Sequence, residues 1–168
     1  MTRTMYDSVT PFTTIPKKGA TMVAWYRTGG FAVEPVGNVS ADERIARSFP
    51  GWSSIPIDTN GTSPGNSRVA DVENFDMTPA ETEGWIERWN AENPAYHNGG
   101  RPVIYCTRSA IPAVRTGTGR YILARDYYLW IATLDGTLYT GDGVIACQRW
   151  DMGGYDESTV YSAQWVPS

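Results

Sequence analysis

Histidine and cysteine are scarce in this chain, and that scarcity removes whole classes of chemistry. His97 is the one histidine in 168 residues. It lies in the polar stretch Asn93-Pro-Ala-Tyr-His-Asn-Gly-Gly100, so neither a His-based triad nor a multi-histidine metal centre is expected. The two cysteines, Cys106 and Cys147, fit no zinc spacing. No metal or other cofactor is therefore expected. Each cysteine sits inside an apolar run, where a free thiol behaves as a small buried hydrophobe. A disulfide is the alternative, which a chain without an export signal disfavours.

Long apolar runs are missing too. None approaches the ~20 residues needed to cross a bilayer, and the opening MTRTMYDSVTPF lacks the apolar region of a signal peptide. Synthesis in the cytoplasm without a signal peptide, and no membrane partner, are the expectations. Basic charge is also short: 14 Lys and Arg stand against 18 Asp and Glu, for a net charge of −4 and a pI near 4.9. No Lys/Arg cluster has the density of a nucleic-acid surface, so no nucleic-acid partner is expected.

What is present is the composition of a globular chain, 41% hydrophobic and 19% charged. The length argues for a single domain over 1–168. Such a domain buries roughly 70% of its unfolded surface and needs no disulfide or metal to fold. Eight short apolar runs read as strands: Thr4–Ser8, Thr21–Tyr26, Ser54–Ile57, Arg68–Glu73, Pro102–Cys106, Tyr127–Ala132, Val144–Gln148 and Asp156–Val160. Continuous runs such as Pro-Val-Ile-Tyr-Cys suit strands covered on both faces, as in a parallel sheet.

Helix signals concentrate in the first two thirds. Thr78-Pro79-Ala80-Glu81 is a capping box with Pro at the first helical position, followed by Trp85 and Trp89 on one face. Ser40-Ala41-Asp42-Glu43 opens a shorter helix with Ile45, Ala46 and Phe49 on its apolar side, and a third short helix follows Cys106. After about residue 120, Gly-rich segments join the strands instead. The stretch Asp58–Ser67 is too short and too rich in Gly and Pro for a crossover helix, so a parallel crossover there has to be a loop. The expected fold is α/β: a small TIM-like barrel of about five β/α units, then three strands with few helices.

The stretch Arg68-Val-Ala-Asp-Val-Glu73 carries the chemistry. Alternate strand residues face the same way, so Asp71 and Glu73 share a face above Val69. Burial and like charge raise one carboxyl pKa, which is how a general acid keeps its proton. Glu73 is expected to be the more buried of the two. Asp7 and Asp156 lie on the first and last strands, which are neighbours in a closed barrel. Both are expected to approach Asp71 and Glu73 across the barrel mouth. Read alone, these acids are ordinary strand-end and cap residues. Seven Trp and ten Tyr include Trp25, Tyr26, Tyr105, Trp130, Trp150 and Tyr155 on or beside strands. Each either packs in the core or stacks on a sugar ring. Gly117-Thr-Gly-Arg120 follows no strand and is not read as a phosphate loop. The sequons Asn38-Val-Ser40 and Asn60-Gly-Thr62 matter only in a eukaryotic secretory route.

These residues resemble glycoside hydrolase family 25, the lysozymes of bacteria and phages. They resemble at least as much the related glycoside-hydrolase-like barrel domains of actinobacteria and their phages. The marks run along the whole chain: Tyr6-Asp7-Ser8, Asp71-Val72-Glu73, Pro102-Val-Ile-Tyr105, Leu129-Trp-Ile-Ala132, Ala146-Cys-Gln148 and Tyr155-Asp156. The resemblance implies Glu73 as acid/base. It implies Asp71 as its assistant, or as the group that positions a substrate N-acetyl group for substrate-assisted attack. Asp7, Asp156, Tyr105, Trp130 and Gln148 would bind substrate. The implied function is hydrolysis of bacterial cell-wall peptidoglycan, possibly by a phage-encoded protein acting at the wall after release or carried in a virion. The chain is short for the family, its second strand reads Met22-Val-Ala-Trp-Tyr26, and the loop after Ile57 is reduced. A second implied reading is therefore a weak or inactive barrel serving as a structural or carbohydrate-binding virion or surface component, with virion proteins as partners.

Overall fold

A computed structural model describes residues 2–61, 65, 67–73, 76–94 and 100–161. His97 and Thr62 of the second sequon lie outside them. Eight strands close a barrel in chain order. They are β1 (Arg3–Asp7), β2 (Met22–Tyr26), β3 (Ser53–Asp58), β4 (Val69–Val72), β5 (Val103–Thr107), β6 (Tyr128–Ala132), β7 (Val144–Asp151) and β8 (Asp156–Val160). Neighbours from β1 to β7 pair in parallel. Only β8 is reversed, pairing antiparallel with both β7 and β1. Asp156, the first residue of β8, therefore lies at the same end as the last residues of the parallel strands.

Period-2 alternation sorts the side chains. Met5, Met22, Ala24, Val69, Val103, Tyr128, Trp130 and Val160 fill the interior. Tyr6, Val23, Trp25, Ala70, Val72, Ile104 and Cys106 face outward beneath helices and loops. Helix α2 (Ala41–Ser48) is capped by Ser40, whose hydroxyl accepts the Glu43 N–H at 3.2 Å, and it seats Ile45 in the outer layer with Trp25 and Phe49. The Thr78 box starts a short 3-10 turn, in which the Glu81 carboxylate accepts from the Thr78 N–H at 2.7 Å. Helix α3 (Thr82–Glu92) then lays Trp85, Ile86 and Trp89 over β4 and β5. Helix α4 (Ile111–Gly117) follows β5. A Cβ at Gly117 would lie 1.8 Å from the Pro79 carbonyl oxygen, so only glycine lets α4 and the Thr78 turn meet there.

Five β/α units are not what forms. Helices follow β1 (α1, the single turn Pro11–Thr14), β2, β4 and β5. Among the described residues none lies between β3 and β4. There, α3 does the covering instead. Asp58, fully buried at the end of β3, accepts from the Trp85 indole at 2.7 Å and the Thr28 hydroxyl at 2.5 Å. The Trp89 indole donates to the Ser67 carbonyl at 2.8 Å, and Asn93 to the Gly65 carbonyl at 2.9 Å. One helix thus satisfies backbone groups that a short crossover loop would leave buried and unpaired.

Both cysteines are buried, unbonded thiols. Cys106 aligns with Ile131, and Ile131 with Cys147. Two strand spacings, about 9.6 Å, exceed the reach of a disulfide.

Candidate active site

The interior changes character toward the C-terminal ends of the parallel strands. Along β1 the inward positions run from Met5 to Asp7, along β2 from Ala24 to Tyr26, and along β4 from Val69 to Asp71. The same alternation carries on to Glu73, just past β4. On β7 it runs from Ala146 to Gln148, and β8 brings Asp156 in from the opposite direction. Asp7 and Asp156 are directly paired in the ladder, where facing side chains start about 5 Å apart and like charges repel.

Three neutral donors hold three of these acids. Tyr26 beside Asp71, Tyr105 beside Glu73 and Gln148 beside Asp156 each lower their carboxyl's pKa as hydrogen-bond donors. Tyr105 is itself packed edge-on against Trp130, with ring centroids 4.7 Å apart. Buried oxygens remain without partners among the described residues: Asp7 Oδ1, Asp71 Oδ1 and Gln148 Oε1. A buried acceptor without a donor is costly, and three at one mouth point to a ligand that brings N–H or O–H groups.

Electrostatics pushes every acid of the mouth the same way. Burial raises Asp7 well above the ordinary carboxylate range, and Asp156, Asp71 and Glu73 add to it. Burial also raises Asp71 well above that range, with Glu73 and Asp76 contributing against the lowering bond from Tyr26. Glu73 rises by burial and by the charge of Asp76, opposed by Tyr105. Burial and Asp151 lift Asp156 to about 6, against the bond from Gln148. Such a set titrates as a coupled unit carrying fewer charges than carboxyls.

Two openings reach this cluster. A pocket of about 410 Å³ is walled by Glu73, Asp76, Thr78 and Thr107. Another of about 390 Å³ is walled by Asp7, Tyr26, Asp151, Tyr155 and Asp156. Among the described residues, no group of three or more His, Cys, Asp or Glu side chains has the arrangement to hold a metal ion.

The structure therefore brings Asp7, Asp71, Glu73, Asp156, Tyr105 and Gln148 to one mouth. Two expectations change. Glu73 is not the more buried acid: Asp71 is 1% exposed, whereas Glu73 is only partly buried, because it follows the last residue of β4 and sits a layer nearer solvent. Trp130 is 1% exposed and its indole donates to the Ser158 hydroxyl at 3.0 Å. It forms a floor beneath Tyr105 and has no open face for a sugar. Sequence reasoning missed the roles of Tyr26 and Asp76. Tyr26 was readable by parity, two residues beyond inward Ala24. Asp76 follows Glu73 at a spacing of three, a signal with no meaning until the turn after β4 folds it back into the pocket.

Fold and site together define a class: a closed, mixed-direction β/α barrel with a carboxylate cluster at the C-terminal ends of its parallel strands. No family model matches the chain, and no curated protein sequence does. Solved structures do match it. One is SleM, the spore cortex lytic enzyme of Clostridium perfringens, with a TM-score of 0.60 and 14% identity over 98% of this chain and 69% of SleM. Another is an uncharacterized B. stearothermophilus protein, with a TM-score of 0.53 and 15% identity over 98% of this chain and 100% of that one. At these identities the likeness is one of fold.

Proposed function

We propose that this chain is a glycoside hydrolase of bacterial cell-wall peptidoglycan, with Glu73 as its acid/base. The observation that carries the reading is the Asp71/Glu73 pair. Both carboxyls project into the mouth from one strand end, both are raised in pKa, and each is held by its own tyrosine. The fold shared with a spore cortex lytic enzyme supports the substrate class.

The burial difference supports a division of roles. Glu73 borders an open pocket and can reach a glycosidic oxygen; its raised pKa keeps the proton to be donated. Asp71 lies deeper in the mouth than Glu73. Its unpartnered Oδ1 suits the N–H of a substrate acetamido group, which favours substrate-assisted hydrolysis over a protein-bound intermediate. Glu73 gives its proton to the leaving oxygen as the C1–O bond breaks. The acetamido oxygen bonds to C1 while Asp71 holds the N–H. Glu73, now a carboxylate, takes a proton from water as that water attacks C1 and reopens the ring. Asp7, Asp156 and Gln148 line the same mouth and offer acceptors to sugar hydroxyls.

The burial of Asp7 and Asp71 favours a second reading, in which the barrel binds wall glycan, in a virion or at a surface, without turning it over. Reducing-end release from peptidoglycan of several Gram-positive genera separates the two. The hydrolase reading expects wild-type activity, loss of at least ~10²-fold in Glu73→Gln, and little change in the unfolding midpoint. A wild-type protein inert on every wall, with a Glu73→Gln variant that melts higher, would support the binding module.

A further inference from the structure

The mouth is acidic almost throughout, and the exception marks a place on it. Beside the pocket of Glu73, and sharing Thr107 with it, lies a third pocket of about 490 Å³ between the segments that follow β5 and β6. Arg108 is the one cation among the described residues that line these three pockets. It sits one residue past β5, exposed, with its guanidinium over the Tyr139 ring at 5.2 Å. Unlike Arg47, Arg120, Arg125 and Arg149, it has no carboxylate partner among the described residues. The stacking cuts the entropy lost when its N–H donors bind a ligand. Around it stand the hydroxyls of Thr107, Ser109 and Thr133. Asp135 lines the pocket too, but its carboxylate is turned into its own loop, accepting the Thr137 N–H at 2.9 Å.

We infer that the Thr107–Arg108–Thr133 pocket is a subsite for a carboxylate carried as a branch on the glycan, with Arg108 as its charge-specific contact. This inference rests on the hydrolase reading only for the identity of the backbone being cleaved. A neutral N-acetylated chain would satisfy the acid mouth without Arg108. For a glycan bearing lactyl or peptide carboxylates, Arg108 is the one cation in the described lining of these three pockets that can offset the mouth acids and Asp135. The pocket adjoins that of Glu73, so the branch belongs on a sugar next to the bond being cut. A free guanidinium binds a carboxylate through two parallel N–H bonds, which the hydroxyls of Thr107 and Ser109 supplement.

The test compares one glycan preparation with its carboxyls free against the same preparation with them converted to neutral amides. Wild type should favour the free-carboxyl glycan in kcat/KM by about 3- to 10-fold, the scale of one partly exposed charge-assisted pair. Arg108→Gln should bring that ratio close to 1, and Arg108→Lys should restore part of it. A ratio unaffected by Arg108→Gln overturns the subsite. Should wild type hydrolyse neither glycan, the hydrolase reading fails. The subsite is then read by calorimetric Kd values for the same pair, with the same expected ratio and the same overturning result.

Discussion

The floor and the mouth of this barrel are built by the same strands and obey opposite rules. At the floor, Met5, Met22, Val69 and Val103 pack without charge, and the one indole of the interior cluster, Trp130, donates to Ser158. At the ends of β1 and β4, just past β4, and at the start of β8, the mouth gathers five carboxyls with no cation among the groups that hold them. The floor stabilises the fold and the mouth draws on that stability. Such a cost is what the proposed glycan site would account for. Its local cost also explains why all three anchoring donors, Tyr26, Tyr105 and Gln148, are neutral. A buried cation would pin the acids as ions and remove the proton that chemistry needs.

The difference can be broken from either end. The largest expected effect is at the floor: Trp130→Ala should lose about 3–5 kcal/mol in denaturant unfolding, because it leaves a cavity and an unpaired Ser158. A loss under about 1 kcal/mol would show that the floor does not carry the fold. Next comes the donor to Asp71. Tyr26→Phe should cost about 1.5–3 kcal/mol at a pH high enough to ionise Asp71, which then needs its charge-assisted bond, and less at a pH low enough to keep that carboxyl protonated. An equal cost at both pH values would mean that the bond does not depend on charge.

The smallest effect concerns Asp156. Its folded pKa of about 6 lies above the ordinary 3.8, so the folded state binds its proton more tightly than the unfolded one. Stability from this group is therefore complete below about pH 4 and is lost as pH rises through about 6. After discounting for partial exposure, the loss is about 1–2 kcal/mol. Asp156→Asn should flatten that slope and melt higher than wild type at pH 7. An unchanged slope would place the titration elsewhere in the cluster.

Much of this was legible from periodicity. The run Val69-Ala-Asp-Val72 shows its two faces in four letters, and alternation alone put Asp71 inward. The Thr78 and Ser40 boxes announced their helices through side-chain chemistry local to each turn. What stayed hidden depends on depth and on distant partners. Alternation says which way Glu73 faces but not how far up the mouth it stands, so its burial relative to Asp71 was misjudged. The same rule placed Trp130 inward without showing that Tyr105 and Ser158 enclose it. The bonds from Trp85 to Asp58 and from Trp89 to Ser67 join positions 27 and 22 residues apart. No local signal reveals that one helix covers two crossovers. The single turn Pro11–Thr14 is too short for any period to register.

The central claim is that Glu73 holds a proton that it can give away. A carbon-13-detected titration of the side-chain carboxyls in the folded protein measures this directly. Glu73 should titrate clearly above its ordinary value of about 4.3, with Asp156 near 6, and both transitions should shift when either acid is replaced by its amide. A Glu73 carboxyl that titrates at or below its ordinary value, independently of Asp156, would contradict the account.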